Sequence, residues 1–335
     1  MHPRPNGKET HPKGILAGFG SLLIFGAALI LPTLNPGFSW TIFIVPFTVL
    51  LVLIERDNDW RGLAAVIITA TCLAAIKGNL ATAVFGFVMV PAGVMMKVGL
   101  DKGRSPALTA AGMFLATAIA LFFFGTMVAT SGGVNPYTLL LNNINNTVNA
   151  SLDLLKENKE LTPIQLQEIK ATAATIKKVL PSALAGIIFS AIAGCALLNL
   201  VIGQLAVRRR RADLVVWPPF SQWKAPEPLI FVLIIAGFGL LIPLPAAQPV
   251  TIGLLLTLNV IYFYQGMAIL TRLLEYWRTP TGLKVLIYAI MVIQAYGVLF
   301  LSLTGVIDVW ANFRAKIDRL EQNRKENEIK EDPEE

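Results

Sequence analysis

Histidine and cysteine are nearly absent from this 335-residue chain. The two histidines, His2 and His11, precede the first apolar run, which excludes a histidine dyad or histidine metal site among the apolar segments. The two cysteines, Cys72 and Cys195, lie inside apolar runs, where a thiol behaves as a small hydrophobic group. No disulfide framework is therefore implied. Walker-type glycine loops, a Gly-x-Ser-x-Gly motif and paired aspartates within apolar runs are also missing, so we predict no enzyme, no metal site and no cofactor.

Charge is scarce as well. Charged residues make up 15% of the chain and apolar residues 55%, whereas about a quarter of the residues of a soluble domain are charged. This composition predicts a protein embedded in the lipid bilayer. In a membrane protein a net charge of +7 reflects basic cytoplasmic loops, so no nucleic-acid partner is predicted.

Long apolar runs dominate what is present. Nine of them meet or approach the roughly 20 residues that a helix needs to cross a bilayer. They cover residues 14–33, 39–54, 62–76, 80–96, 107–130, 182–206, 228–244, 250–270 and 285–306. The sequence therefore predicts an all-α, polytopic transmembrane helix bundle with about nine spans, within a range of eight to ten.

Lysine and arginine are distributed unevenly between the loops. Loops on the side of the N-terminus hold 16 of them, including Arg208 to Arg211, whereas the short loops on the other side hold only Lys77. Basic residues are retained on the cytoplasmic side of a membrane. We therefore predict a bacterial inner (plasma) membrane protein with a cytoplasmic N-terminus. Nine spans would place the C-terminus outside.

One long polar segment, residues 131–181, interrupts the apolar runs on the predicted outer side. Its first half repeats apolar residues at spacings of three and four, opposite a series of asparagines. These are Tyr137, Leu141, Ile144, Val148, Leu152 and Leu155. A second helix is predicted to begin at Thr162, the N-cap, with Pro163 next and Gln165 completing a capping box. The segment is predicted to be an extracytoplasmic amphipathic helical hairpin that caps the bundle, lies in the interface or binds a partner.

These features divide the chain into five segments. They are a cytoplasmic N-terminal segment (1–13), N-terminal transmembrane helices (14–130), the extracytoplasmic hairpin (131–181), C-terminal transmembrane helices (182–314) and a charged, flexible tail (315–335).

Short motifs in the C-terminal third resemble the YybS-like family of predicted bacterial membrane proteins, a family named for a domain of unknown function. The motifs are Trp217-Pro218-Pro219-Phe220 with Trp223 and Pro226, Asn259 followed by Tyr262-Phe263-Tyr264-Gln265-Gly266, and Gly305-Val306-Ile307-Asp308-Val309-Trp310 through Phe313-Arg314. The resemblance implies a bacterial multipass protein. It assigns no catalytic residue.

The N-terminal half resembles, in layout, the substrate-binding subunits of energy-coupling-factor vitamin transporters. The similarity lies in the short, split spans of residues 62–96, in Phe85-Gly86 to Pro91-Ala92-Gly93, and in the basic loop Lys97 to Arg104. It implies a compact helical bundle that holds a small ligand, although fold does not fix function.

Polar residues inside the apolar runs mark the candidate ligand site, because lipid cannot satisfy their hydrogen bonds. Helical spacing places two series of them on single faces of the last two spans, with Gln265 adjacent to the first series. The candidates are Asn259, Tyr262 and Gln265 in the eighth run, Gln294, Thr304 and Asp308 in the ninth, and Asn199 in the sixth. The alternative is that they form interhelical hydrogen bonds that only fix packing.

Two functions of different kinds remain open. The polar series favour the first, which is binding or translocation of a small-molecule ligand in the manner of a transporter substrate-binding subunit. The second is a non-enzymatic scaffold or assembly factor of the envelope, which needs a membrane-protein partner or a homo-oligomer. A closed cavity lined by Asn259, Tyr262 and Gln294 would favour the first, and dry packing there the second.

Overall fold

The computed structural model describes residues 13–56, 58–78, 80–133, 135–157, 162–210, 217–242 and 247–331. This part of the chain is all-α and contains no strand. Its helices are α1 (Lys13–Leu34), α2 (Val45–Glu55), α3 (Trp60–Ile76), α4 (Leu80–Val88), α5 (Val90–Asp101), α6 (Pro106–Gly132), α7 (Pro136–Glu157), α8 (Pro163–Arg210), α9 (Leu229–Gly239), α10 (Gln248–Tyr276), α11 (Thr281–Ile293), α12 (Ala295–Ala311) and α13 (Phe313–Glu331). Two 3₁₀ helices, Pro36–Ile44 and Phe220–Gln222, join α1 to α2 and precede α9. Apart from Lys13, the predicted N-terminal segment 1–13 lies outside the described residues.

Several helices begin where the sequence supplies a capping side chain. Asp59 precedes α3, and its carboxylate accepts a hydrogen bond from the Gly62 amide at 2.8 Å. At α8 the Thr162 amide donates to Gln165 Oε1 at 2.9 Å, and the Gln165 amide donates to Thr162 Oγ1 at 3.3 Å. These reciprocal bonds satisfy amides that have no partner within the helix. The capping box predicted at Thr162 is confirmed.

The apolar helices differ in length. Among the described residues, five helical segments are long and apolar enough to cross a membrane, or six if the bent pair α11 and α12 is one span. The predicted runs 14–33, 62–76 and 228–244 correspond to shorter apolar helices. The all-α membrane fold is confirmed, but the count of nine spans is not.

Helix α8 joins the predicted hairpin to the predicted span that follows it. It runs without interruption for 48 residues and contains Pro181. At a rise of 1.5 Å per residue it is about 72 Å long, more than twice the thickness of a bilayer core of about 30 Å. Since its apolar run covers residues 182–206, its N-terminal part must project beyond the lipid.

The first compact unit consists of residues 1–124 and 198–217. Within it α2 packs against α1 and α5, and α3 packs against α1 and α4. Gly93 allows α5 to approach α2 closely, because a Cβ at that position would lie 2.6 Å from the Pro46 carbonyl oxygen. Helix α2 is the most deeply buried element, with Val45, Val49 and Leu50 fully inaccessible.

The second compact unit consists of residues 125–197 and 218–335. Helix α10 lies at its centre and contacts α9, α12, α13 and the 3₁₀ helix Phe220–Gln222. An apolar cluster of Ile230, Leu258 and Tyr262 joins α9 to α10. The contacts of α10 with α12 and α13 determine where the candidate polar residues meet.

The predicted span 285–306 is not one helix. The helix is interrupted at Gln294, where the direction changes by 99° between α11 and α12. Gly297 permits the bend, since a Cβ there would lie 2.4 Å from the Met291 carbonyl oxygen. The apolar run continues through the break, so hydropathy alone could not reveal it. We call residues 281–311 the V.

The second arm of the V runs parallel to α10. Contacts between α10 and α12 pair Asn259 with Ser302 and Gln265 with Asp308, so sequence numbers rise together and the two helices run in the same direction. Four residues separate the end of α10 from the start of α11. Helix α11 therefore starts beside the C-terminal end of α10, and α12 runs beside α10 towards that same end.

The predicted tail, residues 315–335, is helical as far as Glu331. Arg272, near the end of α10, forms ion pairs with Asp318 and Glu321 of α13, at 2.6 and 2.5 Å. The tail thus lies beside the basic end of α10 and not at its opposite end. The side of the membrane on which the C-terminus lies stays a prediction.

Candidate functional site

A buried polar cluster lies where α10, α12 and α13 meet. Gln265 and Asp308 form its centre, with 0% and 1% of their surfaces exposed. The Gln265 side-chain amide donates through Nε2 to Asp308 Oδ2 at 3.0 Å and accepts through Oε1 from the Ala225 amide at 3.1 Å. One glutamine thus joins α10 to α12 and to the segment before α9.

Arg314 supplies the counter-charge for Asp308. Its Nη2 donates to Asp308 Oδ2, and its Nη1 donates to the Trp223 carbonyl. The Arg314 side chain is 13% exposed, so this ion pair is largely removed from solvent. A buried carboxylate without such a partner would be strongly unfavourable.

The turn at the end of α12 brings Arg314 back to Asp308. Asn312 has a left-handed backbone (φ 46°), and its amide donates to the Asp308 carbonyl at 3.1 Å. Asparagine tolerates this conformation, which ends helices. The Phe313 amide then donates to Asp308 Oδ1 at 2.8 Å. Asp308 therefore also satisfies the first amide of α13.

Two glycines bring the backbones of α10 and α12 into direct contact. A Cβ at Gly266 would lie 1.9 Å from the Leu301 carbonyl oxygen, and a Cβ at Gly305 would lie 2.0 Å from the Tyr262 carbonyl oxygen. Ser302 donates its hydroxyl to the Asn259 carbonyl at 3.2 Å. Close approach through small residues is typical of helix pairs in membranes. At these two glycines the backbones of the helices pack directly against each other.

Tyr262 is buried in the apolar cluster beside this contact. It is 1% exposed, and its hydroxyl has no hydrogen-bond partner among the described residues. The indole Nε1 of Trp223 is likewise buried and unpartnered. Tyr264, by contrast, donates its hydroxyl to the Gly194 carbonyl at 3.0 Å.

The structure unites only part of the predicted ligand-binding set. Tyr262, Gln265 and Asp308 lie together, and Asn259 contributes its backbone carbonyl to the same helix pair. Gln294 is exposed at the break of the V. The Thr304 hydroxyl donates to the carbonyl of Phe300 in its own helix. These two residues take no part in the cluster.

Asn199 belongs to the first unit and has a structural partner there. Its Nδ2 donates to the Phe43 carbonyl at 2.7 Å, and its Oδ1 accepts from the Phe47 amide at 2.9 Å. These backbone groups flank the junction of the 3₁₀ helix Pro36–Ile44 with α2. The Asn199 side chain is wholly buried and serves this junction.

Sequence reasoning missed Arg314 and the carbonyl of Trp223 as members of the cluster. Both residues lie outside the apolar runs, where polar groups are expected and so do not indicate a buried site. Asp308 could have indicated Arg314, since a carboxylate at the end of a span needs a cation within reach. Arg314 follows it by six residues, across the turn at Asn312.

The hydrogen bonds and the ion pair of this cluster hold neighbouring helices together. Three donors from within the protein occupy the buried Asp308 carboxylate. Among the described residues no group of three or more histidine, cysteine, aspartate or glutamate side chains could hold a metal ion. Gln265 and Asp308, which belong to the predicted ligand-binding set, thus join α10, α12 and α13.

Two surface pockets lie elsewhere in the second unit. The first is a groove between α7 and α8 with a volume of about 410 Å³. Its walls are mainly apolar and consist of Thr147, Val148, Ser151, Leu152, Leu155, Glu168, Ile169, Thr172, Ala173 and Ile176. We call it the hairpin groove. The second, of about 510 Å³, is polar and surrounds the ion pairs of Arg272 with α13.

Similarity to other proteins extends over most of the chain. Residues 21–309 match the family described as "Predicted membrane protein (DUF2232)". This match is consistent with the resemblance to YybS-like proteins, while the resemblance to energy-coupling-factor subunits stays a prediction. No curated protein and no solved structure matches the chain.

Proposed function

The chain belongs to this family of predicted membrane proteins, and from that premise we propose that it is a non-enzymatic scaffold of the bacterial envelope. In this proposal the hairpin formed by α7 and the N-terminal part of α8 holds a partner protein outside the inner membrane. The hairpin groove is the observation that supports the proposal.

The orientation rests on the charge at the two ends of α8. Arg208, Arg209 and Arg210 end the helix, and basic residues of this kind remain in the cytoplasm. The opposite end, which carries the groove, then lies outside. We assign the C-terminal helix to the cytoplasmic side on the same rule, because its ion pairs with Arg272 hold it at the end of α10 that is followed by the basic residues Arg278 and Lys284.

The hairpin helices are held apart and leave apolar side chains uncovered. The Tyr137 hydroxyl donates to the Pro181 carbonyl at 2.6 Å at the base of the hairpin. Further out, Leu154 and Ile164 are each 71% exposed and Ile176 is 45% exposed. In water such a surface is unfavourable unless something covers it. Of these three, Ile176 lines the hairpin groove, so part of the uncovered apolar surface is available to a partner there.

An amphipathic helix of another envelope protein is the partner that fits this groove. The wall from Thr147 to Leu155 spans about 12 Å, or roughly two helical turns. Two antiparallel helices with an apolar groove accept the apolar stripe of a third, as in helix-in-groove recognition. Hydrophilic groups such as Glu168 and Thr147 at its border would meet the polar edge of that helix.

Site-specific photo-cross-linking in intact cells tests this proposal. A photoreactive amino acid at Leu152 or Ile176, inside the groove, is expected to give one protein adduct of discrete mass. Matched positions on the exposed outer faces of the same helices, Asn146 and Ala174, are expected to give little of it. Adducts with lipid alone, or equal yields at all four positions, would contradict the scaffold.

Small-molecule handling remains the second candidate because the V has a helix break. Irregular backbone within a membrane is found where it is buried in protein or lines an aqueous cavity. Ligand-induced thermal stabilisation, measured across a panel of vitamins and metabolites, tests this candidate. The absence of any shift would remove it.

A further inference from the structure

Two basic stretches of the chain meet at one end of the first unit. The Arg208 guanidinium, in the last turn of α8, donates through Nη2 to the Trp217 carbonyl at 2.8 Å. Trp217 is buried, and its indole donates through Nε1 to the carbonyl of Arg104, in the loop between α5 and α6, at 2.7 Å. One tryptophan thus joins the basic end of α8 to the basic loop that precedes α6.

Ion pairs neutralise only part of the positive charge at this end. Arg210 pairs with Glu55 of α2. Within the described part of the chain, Arg104, Arg208 and Arg209 form no ion pair with a carboxylate. Arg104 and Arg209 are exposed, whereas the Nε of Arg208 is buried and has no hydrogen-bond partner among the described residues. A buried guanidinium N–H without an acceptor is unfavourable, so this group needs an anion or another acceptor.

Uncovered apolar side chains lead along two helices to these arginines. Leu198 and Leu205 of α8 are exposed, and spacings of seven and four residues place them on one helical face with Arg209. In α6, Leu108 is exposed and follows Arg104 by four residues. Both α6 and α8 are long and apolar enough to cross a membrane. Their exposed leucines therefore face acyl chains, and the arginines at their ends lie at the level of the lipid headgroups.

We propose that Arg104, Arg208 and Arg209 bind the headgroup of an anionic phospholipid whose acyl chains lie along the exposed faces of α6 and α8. We call these three arginines the headgroup site. A phosphodiester accepts hydrogen bonds from guanidinium groups, which present a planar fork of donors. The Arg208 Nε gains such an acceptor, and the exposed leucines favour one that carries acyl chains over a free anion. On the proposed orientation this end faces the cytoplasmic leaflet, whose anionic lipids attract basic segments next to a span.

Native mass spectrometry of the full chain in detergent tests the headgroup site. The wild type is titrated with phosphatidylglycerol and with phosphatidylcholine of the same acyl chains, and is expected to bind the first about tenfold more tightly. Arg104→Gln and Arg209→Gln each remove an exposed cation and are expected to weaken phosphatidylglycerol binding about fivefold singly and about 30-fold together. Lys77→Gln is the matched control, because Lys77 is an exposed cation at the other end of α3, and it should leave the affinity unchanged.

Three results would overturn the headgroup site. Equal affinity of the wild type for the two lipids would show that the arginines do not select an anion. An equal loss in Lys77→Gln and Arg209→Gln would reduce the effect to net charge. Displacement of phosphatidylglycerol by an equal concentration of soluble glycerol phosphate would indicate a site for a free anion and not for a lipid. The headgroup site belongs to the first unit and the hairpin groove to the second, so failure here leaves the proposed scaffold role standing.

Discussion

Gln265 and Asp308 are joined by a 3.0 Å hydrogen bond although 43 residues separate them in the chain. Both side chains are buried, and Arg314 adds a charge to the pair. Together with the bond from Ser302 to the Asn259 carbonyl, this pair shows that α12 runs in the same direction as α10. It also gives two intramembrane polar residues a partner within the protein.

Loss of the Asp308 carboxylate should destabilise the second unit strongly. Asp308→Leu leaves Arg314 without a counter-charge in a buried position, which is expected to lower the free energy of unfolding by about 3–5 kcal/mol. The double variant Asp308→Leu with Arg314→Met should recover part of this loss, because no buried charge then remains. Denaturant unfolding in detergent micelles measures both values. Losses that simply add would contradict a direct pair.

The glycine contact between α10 and α12 should tolerate no side chain. Gly266→Ala brings a methyl group to within 1.9 Å of the Leu301 carbonyl oxygen, so the helices must separate, at a cost of about 1–3 kcal/mol. Gly237→Ala in α9 is the matched control, because nothing lies within 4 Å of its Cβ position. The control should be neutral or stabilising by up to about 1 kcal/mol. Thermal unfolding of the two variants compares them, and similar midpoints would refute the close contact.

Two neighbouring tyrosines should respond oppositely to loss of the hydroxyl. Tyr262→Phe removes a buried hydroxyl that has no partner, and is expected to stabilise the protein by about 1 kcal/mol. Tyr264→Phe removes the bond to the Gly194 carbonyl and is expected to destabilise it by about 1 kcal/mol. Thermal unfolding of both variants in the same detergent measures the two changes in stability. Destabilisation by Tyr262→Phe would show that its hydroxyl has a partner after all.

Asp59 should contribute a pH-dependent part of the stability. The Gly62 amide and the Arg56 guanidinium donate to its carboxylate and hold the pKa of Asp59 below its ordinary value of 3.8. A lowered folded-state pKa gives stability that is complete above pH about 4–5 and is lost as pH falls through the folded-state pKa. The advantage of the wild type over Asp59→Asn should thus shrink below pH 4. An advantage that is constant from pH 6 to pH 3 would exclude this role.

Features encoded by local chemistry could be predicted from the sequence. The capping box at Thr162 depends on three adjacent residues, and the apolar runs follow from side-chain hydropathy alone. The alignment of Gln265 with Asp308 was also foreseeable in part, because helical spacing placed Asp308 on one polar face and Gln265 adjacent to the other. These predictions needed no knowledge of distant contacts.

Features that depend on tertiary contacts could not be predicted in this way. The break at Gln294 lies inside a continuous apolar run, and it depends on Gly297 meeting the Met291 carbonyl. The location of Asn199 beside Phe43 and Phe47 likewise depends on how α8 packs in the first unit. Polar side chains in a span reveal that a partner exists, but not whether it is a ligand or the protein itself.

The most direct test is to determine on which side of the membrane the hairpin and the C-terminal helix lie. Asn146→Cys on α7 and Asn323→Cys on α13, each with Cys72→Ala, are labelled with a membrane-impermeant maleimide in intact cells. We expect that the Asn146→Cys thiol reacts in intact cells and that the Asn323→Cys thiol reacts only after permeabilisation. Reaction of the Asn323→Cys thiol in intact cells would contradict the cytoplasmic location of α13, and failure of the Asn146→Cys thiol to react there would contradict the outward-facing hairpin.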